Sequence, residues 1–279
     1  MKNKVIHYCW FGPKPLGKLE KKCIKSWEKY LPDYKIMKWS EENVDLEECA
    51  FIKEAYENKK WAFVADYVRT KALYEYGGIY FDTDMEIIGD MTEFLDKDLV
   101  LGLEDSGLPN AAIVVVKNKK NKYIKSLLDK YQKMNFNETG NLYDIAIPKM
   151  LTSLLNPLGL SLNSKEIQIL DKNIYIYPRE YFYPYNFDMK NNVFTKNTKT
   201  IHHFSASWLS YFERREIFFE RHNLKKIRRI LIVPSVVFCG MALLLAKTKL
   251  VNLNEETKKI YRDNIWSMKL NIKKGKNEK

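Results

Sequence analysis

Two carboxylates one residue apart, Asp82 and Asp84, are the side chains of this sequence that most directly suggest chemistry. They follow the apolar residues 79–81, which predict a short buried strand, so they lie where that strand ends. In an ideal strand, residues i and i+2 point to the same side, which lets both carboxylates face one cation. Carboxylate oxygens are ligands of Mg²⁺ and Mn²⁺, and these ions accompany phosphate-bearing substrates. For the tripeptide alone, a solvated turn after a strand is the alternative.

A charged pair precedes this strand. Apolar residues at helical spacing predict a helix over residues 61–75, and the glycines at 77 and 78 end it. Asp66 and Arg69 are three residues apart, so they share a face of this helix. A guanidinium there could hold sugar hydroxyls or a phosphate with two hydrogen bonds. The alternative is an exposed ion pair that contributes little to stability.

Two further clusters could complete such a site. Two of the four histidines, His202 and His203, stand at the end of a predicted strand, and a neutral imidazole can complete a divalent-ion site begun by carboxylates. A partly exposed pair on a strand edge is the alternative. Near the N-terminus, Trp10 follows the first predicted strand, where an aromatic ring can stack on a nucleobase or belong to an ordinary core.

The elements that must position these residues alternate between strand and helix. The opening predicts β-α-β, with strands over 5–11 and 34–39 and a helix over 23–30. Further strands are expected at 99–103, 111–116, 174–177 and 200–204, and further helices at 123–133 and 147–155. Alternation of this kind predicts an α/β fold with a mostly parallel sheet that binds ligands at the carboxyl ends of its strands.

Charge divides the sequence into a nearly neutral part, residues 1–212, and a basic tail, residues 213–279. The 279 residues are 46% hydrophobic and 14% aromatic, which is typical of a folded globular protein. The net charge is +12, and residues 213–279 hold 17 Lys/Arg against 7 Asp/Glu, so residues 1–212 are nearly neutral. We therefore expect a catalytic domain over 1–212 and a basic helical extension over 213–279 that meets an anionic surface. No nucleic-acid partner is expected.

The tail contains an uncharged run, residues 230–246, with lysines and arginines on both sides. Seventeen residues are at the lower limit for crossing a bilayer, and Pro234 and Gly240 interrupt the run. The run could span a membrane, lie on an anionic membrane surface, or pack as a buried hairpin against the main domain.

The cysteines and the N-terminus bear on the compartment. The four cysteines show no CxxC spacing and no cluster with histidine, so a zinc site is not expected. The N-terminal residues do not resemble a signal peptide. We therefore expect reduced thiols and a cytoplasmic protein that can sit peripherally on the inner face of the cell membrane.

Three segments together resemble glycosyltransferase family 32, the DXD-containing sugar transferases of bacterial capsule and surface-polysaccharide synthesis. They are IHYCWFG near the N-terminus, WAFVADYVRTKALYEYGGIYFDTD in the middle, and IHHFSASW near residue 205. The same segments resemble the glucosyltransferase domains of the large clostridial toxins. The resemblance covers about residues 5–210, and its central segment is the most specific part. It implies a GT-A (Rossmann-like) fold, a nucleotide-sugar donor that is usually UDP-linked, Mn²⁺ or Mg²⁺, and retention at the anomeric carbon.

The resemblance also implies roles for individual residues. Asp84 would bind the metal directly, and Asp82 would contact ribose or sugar hydroxyls and the water shell of the ion. The histidine of related folds follows the last apolar residue of its strand, here Ile201, so His202 is preferred to His203 as the third ligand. The catalytic set would be Asp66, Arg69, Asp82 and Asp84. Side chains expected to hold the donor, besides that set, are Trp10, Tyr80, Asn110, Ser207 and Trp208.

The implied activity is metal-dependent transfer of a sugar, with retention, from a nucleotide-sugar donor to a growing glycan or a lipid-linked acceptor. The sequence identifies no single nucleophile or general base, since Asp66, Asp82, Asp84 and Glu104 are all conceivable. A nucleotide-sugar hydrolase, a nucleotidyltransferase and a non-catalytic nucleotide-sugar-binding membrane scaffold remain the alternatives.

Overall fold

The computed structural model describes residues 3–186 and 191–205. Within these ranges the strands are β1 (Val5–Cys9), β2 (Lys35–Trp39), β3 (Gly78–Phe81), β4 (Met85–Ile87), β5 (Leu99–Leu103), β6 (Pro109–Val116), β7 (Gln168–Leu170), β8 (Ile174–Tyr177) and β9 (Thr200–His202). The helices are α1 (Lys18–Tyr30), α2 (Ala50–Glu57), α3 (Trp61–Tyr76), α4 (Lys122–Gln132), α5 (Ile147–Leu155) and α6 (Arg179–Phe182), with single 3₁₀ turns at Thr92–Phe94, Phe136–Glu138 and Asn156–Leu158.

Seven of these strands form one sheet in the order β2-β1-β3-β6-β5-β8-β7. The pairs β1–β2, β1–β3 and β5–β8 are parallel, whereas β6 is antiparallel to both of its neighbours and β7 is antiparallel to β8. Five strands therefore point one way, and only β6 and β7 are reversed. The predicted α/β class with a mostly parallel sheet is confirmed. Strands β4 and β9 form a separate two-stranded antiparallel sheet.

The sheet separates two hydrophobic cores. In β6, Val114 and Val116 pack in one core while Ile113 and Val115 pack in the other, which is the alternation that a strand buried on both faces must show. Helices α2 to α5 cover the first face, and α1 with α6 covers the second. Burial on both faces explains why β3, β5 and β6 read as nearly continuous apolar runs in the sequence.

The predicted elements are all present, with bounds that differ by a few residues at their ends. Short elements were missed: α2, β4, β7 and α6 have no counterpart among the sequence predictions. No helix within residues 3–186 and 191–205 is long and apolar enough to cross a membrane. The apolar run 230–246 and the predicted boundary at residue 212 lie outside the described residues, so both stay predictions.

The turn between α3 and β3 requires glycine. Gly78 has a φ of 96°, and a Cβ atom there would lie 2.5 Å from the carbonyl oxygen of Val5 on β1. We expect Gly78→Ala to lower the free energy of unfolding by about 2 kcal/mol or more, because it combines positive-φ strain with a backbone clash. Urea unfolding measures this loss. Gly140→Ala is the matched control, since a Cβ atom at Gly140 meets nothing within 4 Å, and an equal loss in both variants would contradict the explanation.

His7 on β1 stabilises the same turn through a hydrogen bond. Trp39 Nε1 donates to His7 Nδ1 at 3.2 Å, so the neutral ring carries its proton on Nε2 and donates it to the Gly77 carbonyl oxygen at 2.8 Å. Burial lowers the pKa of His7 from 6.5 to about 4, against the opposing effect of the Gly77 hydrogen bond.

Protonation of His7 should therefore make stability depend on pH. Between pH 6.5 and pH 4 the unfolded chain binds a proton at His7 that the folded chain does not. The free energy of unfolding should fall on acidification through this window, by about 3 kcal/mol from His7 alone. The free energy of unfolding is measured in urea at several pH values for the wild type and for His7→Asn, which does not titrate. The difference between the two slopes against pH is the contribution of His7. Identical slopes for the two proteins would show that His7 does not contribute.

Candidate functional site

The two carboxylates lie in a tight turn at the carboxyl end of β3. Asp82 N–H donates to the Ala112 carbonyl oxygen at 2.7 Å, and Met85 N–H donates back to the Asp82 carbonyl oxygen at 2.9 Å. The strand ends at Phe81, so the expected ideal-strand geometry does not extend to Asp84. Asp84 is only 7% exposed, so the solvated-turn interpretation is wrong for this carboxylate.

Pairing of β4 with β9 brings a histidine to this turn. His202 stands opposite Met85 in that ladder, and its Nε2 lies 3.3 Å from Asp84 Oδ1. Asp82, Asp84 and His202 each offer one ligand atom, and the three atoms lie within 4.8 Å of one another. Two carboxylate oxygens and one imidazole nitrogen are a donor set suited to Mn²⁺ or Mg²⁺. The residues present therefore fit a divalent cation.

The electrostatics of Asp84 favour its charged form. Burial alone would raise the pKa of Asp84, but the His202 imidazole and the Ser205 N–H, which donates to Asp84 Oδ2 at 2.7 Å, hold that pKa well below its usual range. Burial alone would lower the pKa of His202, but the Asp84 carboxylate raises it. A carboxylate that stays charged in a buried position is ready to accept a cation.

The His202 ring is fixed by its neighbours. Its centroid lies 4.0 Å from that of Phe204 and 5.8 Å from that of Tyr183. Its Nδ1 is buried and has no hydrogen-bond partner within the part of the chain that the structure describes. An unsatisfied buried nitrogen of this kind is commonly completed by water or an ion. The adjacent His203 turns elsewhere, since its Nε2 lies 2.8 Å from Glu86 Oε2.

Arg69 connects α3 to Asp82. Its Nη2 lies 3.1 Å from Asp66 Oδ1 and 3.1 Å from Asp82 Oδ1, and its Nη1 donates to the Ala111 carbonyl oxygen at 2.7 Å. The Arg69 and Asp66 side chains are 7% and 9% exposed, so the exposed-ion-pair interpretation is wrong. The guanidinium contacts Asp66, Asp82 and the Ala111 carbonyl oxygen, so Arg69 fixes the position of the Asp82 carboxylate.

Tyr80 contacts the same oxygen of Asp82, Oδ1. Its hydroxyl donates to Asp82 Oδ1 at 3.0 Å, and its ring lies under the Arg69 guanidinium at 4.4 Å. With Oδ1 occupied twice, Asp82 Oδ2 has no partner among the described residues. This arrangement orients one free oxygen of Asp82 for an external ligand.

Asp66 is a buried member of the same network. Burial raises its pKa to about 7, while Arg69 and a hydrogen bond from the Ile147 N–H at the start of α5 oppose the rise. Asp66 therefore links α3 to α5 directly, and to the Asp82 turn through Arg69.

Two polar residues lie along the edge from Asp82. Asn110 Oδ1 accepts from the Ala112 N–H at 2.8 Å, and Asn110 Nδ2 donates to Glu104 Oε2 at 2.5 Å. Glu104, which directly follows β5, was one of several conceivable bases and was not assigned to the site. The signal that could have found it is its position directly after a predicted strand, like that of Asp82.

Trp10 lies at the end of β1, beside a surface cleft of about 480 Å³ whose lining includes Lys14, Lys38 and Ser40. The indole Nε1 of Trp10 donates to the Lys14 carbonyl oxygen at 2.6 Å, which fixes the ring at the wall of this cleft. The cleft has the size of a small-ligand site. Ser207 and Trp208 lie outside the described residues, so their expected roles stay predictions.

Residues 17–101 match the family model described as glycosyltransferase sugar-binding region containing DXD motif. The matched region includes Asp66, Arg69, Tyr80, Asp82 and Asp84. The match indicates a glycosyltransferase sugar-binding domain in this part of the chain. Such a domain implies a nucleotide-sugar donor and a glycan acceptor, and the Asp82-Thr83-Asp84 turn of this domain is the DXD motif.

Solved structures with a similar course of the chain include a PaToxG glycosyltransferase and a transferase mutant with two cysteine-to-serine substitutions. The first is 20% identical, with a TM-score of 0.47 over 56% of this chain and 69% of that one. The second is 13% identical, with a TM-score of 0.39 over 57% of this chain and 88% of that one. At this level of overlap neither neighbour identifies a substrate for this glycosyltransferase. No curated protein sequence matches the chain.

Proposed function

We propose that this glycosyltransferase moves a hexose, with retention, from a UDP-linked donor to a growing glycan or lipid-linked acceptor in bacterial surface-polysaccharide synthesis. The observation that carries the proposal is the meeting of Asp82, Asp84 and His202 at the carboxyl edge of the sheet. This edge is where ligands bind in open α/β sheets.

The chain's own residues would divide the work between binding and orientation. Asp84 and His202 would hold Mn²⁺ or Mg²⁺, with Asp82 contributing its free oxygen. When bound, the ion supplies positive charge that offsets the charge developing on the leaving diphosphate. Arg69 and Tyr80 would keep Asp82 in position, and the cleft beside Trp10 would receive the nucleoside.

The transfer itself breaks the bond between the anomeric carbon and the diphosphate oxygen, whose electron pair leaves with the diphosphate. The sugar passes through an oxocarbenium-like state, as in glycoside hydrolysis. An acceptor hydroxyl forms the new bond on the same face and gives its proton to the leaving diphosphate. Exclusion of water from this carbon separates a transferase from a hydrolase.

A donor screen tests the proposal. Several UDP- and GDP-sugars are incubated with the protein and Mn²⁺, with and without a saccharide acceptor, and both the transferred and the free sugar are measured. Sugar transfer that needs the acceptor and stops with a chelator is expected. Free sugar alone would identify a nucleotide-sugar hydrolase, release of sugar 1-phosphate a nucleotidyltransferase, and binding without turnover a scaffold.

We further propose that residues 213–279 hold the enzyme on the inner face of the cell membrane. The proposal rests on the basic composition of this segment and on its uncharged run. The full chain should co-sediment with vesicles rich in anionic lipid and lose this binding at high salt. A variant with Lys225, Lys226, Arg228 and Arg229 changed to glutamine should bind more weakly, and equal sedimentation of the two proteins would contradict the proposal.

A further inference from the structure

Glu104 occupies the site edge two strands away from the DXD turn. The order β3-β6-β5 places the end of β3, the start of β6 and the end of β5 side by side, because β6 runs antiparallel to both neighbours. Asp82, Asn110 and Glu104 follow or begin these three strands in turn. Two strand spacings amount to roughly 10 Å, so Glu104 lies on the same sheet edge as the DXD turn, within reach of a ligand of nucleotide-sugar size.

The Glu104 carboxylate has acceptor capacity that its contacts with the described residues do not use. Its oxygens accept from Asn110 Nδ2 at 2.5 Å and from the Ser106 hydroxyl at 2.7 Å, which leaves lone pairs on both. No lysine or arginine among the described residues forms an ion pair with it.

Asn110 supplies the complementary group. Its Oδ1 is occupied by the Ala112 N–H, which fixes the amide orientation, and one Nδ2 hydrogen goes to Glu104. The second Nδ2 hydrogen has no acceptor within the described ranges. The pair Glu104–Asn110 is half-buried and presents one hydrogen-bond donor next to carboxylate acceptors.

We propose that Glu104, oriented by Asn110, binds adjacent hydroxyl groups of the sugar on the donor and thereby determines which hexose is accepted. A vicinal diol offers donors and acceptors side by side, and it matches this pair. A site built to hydrogen-bond a hydroxyl rejects analogues that lack it or place it differently, because its own polar groups are then left unpaired. The inference rests on the proposed function, since it assumes a nucleotide-sugar donor at the Asp82–Asp84 site.

Calorimetric titration with UDP alone and with UDP-glucose, UDP-galactose and their N-acetyl forms, all with Mn²⁺, tests the proposal. Glu104→Ala should raise the Kd of the best-bound UDP-hexose about 10-fold or more and leave the Kd of UDP unchanged. Glu104→Gln keeps the size of the side chain but offers a donor where the carboxylate accepted, so it should change the ranking of the four sugars. Asp96→Asn, an exposed carboxylate near the opposite end of β5, is the matched control and should change neither Kd.

Three results would overturn this inference. Unchanged Kd values for UDP-hexoses in Glu104→Ala would show that Glu104 does not touch the sugar. Equal weakening for UDP and UDP-hexoses would show that it only supports the nucleotide or metal site. Wild-type protein that binds neither UDP nor any UDP-hexose would overturn the UDP-linked function itself, and this inference would fall with it. Retained melting temperatures confirm that each variant is folded.

Discussion

Replacing Asp84 by alanine is expected to lower the rate of sugar transfer on the order of 10³-fold, because the diphosphate would lose the charge stabilisation that the cation supplies. Asp84 is buried, and its low pKa keeps it in the charged form. Its Oδ1 lies 3.3 Å from His202 Nε2. The Mn²⁺ affinity of the same variant, measured by calorimetry, should fall in parallel. Transfer rates are compared at saturating donor.

Two controls make this result specific. Asp33→Ala removes an exposed carboxylate that pairs with Lys4, and it should leave transfer and Mn²⁺ affinity unchanged. Circular dichroism and the melting temperature show whether Asp84→Ala is folded. A folded variant that retains its transfer rate would exclude Asp84 as a metal ligand, and full cellular function in that variant would favour the scaffold interpretation.

The long elements could be predicted because their patterns are local. Helix α3 shows an apolar stripe, and β5, β6 and β8 read as apolar runs because both faces of the sheet are buried. Strands β4 and β7 have three residues each, which is too short for any period to show. The antiparallel direction of β6 could not be predicted either, because an apolar run carries no information about strand direction.

From residue patterns alone the site could be predicted only as separate pieces, and it was the family resemblance that joined His202 to the two carboxylates. Asp82 and Asp84 are recognisable from their place after β3, but His202 is more than a hundred positions away and reaches Asp84 through the β4–β9 ladder. Because β4 was missed, no sequence pattern could show that contact. The burial of Arg69 beside Asp82 depends likewise on the packing of α3 against the sheet, which amphipathic spacing does not resolve.

Replacing Arg69 by alanine is expected to lower the free energy of unfolding by about 3–5 kcal/mol, since it leaves two carboxylates without their shared cation. Asp66 and Asp82 each lie 3.1 Å from Arg69 Nη2, and the Asp66 side chain is 9% exposed. Urea unfolding at about pH 8, above the pKa of about 7 of Asp66, measures the loss. Lys71→Ala is the control on the same helix, because its ion pair with Glu48 is more exposed and should contribute only about 1 kcal/mol or less.

Arg69→Lys separates stability from positioning. Lysine keeps a positive charge between Asp66 and Asp82, but it lacks the planar fork that also donates to the Ala111 carbonyl oxygen. We expect this variant to recover much of the stability and still to transfer sugar slowly, because Asp82 loses the fixed direction of its free oxygen. A normal transfer rate in Arg69→Lys would show that charge alone suffices. Slow transfer in a stable protein would show that Arg69 acts by orienting the DXD carboxylate.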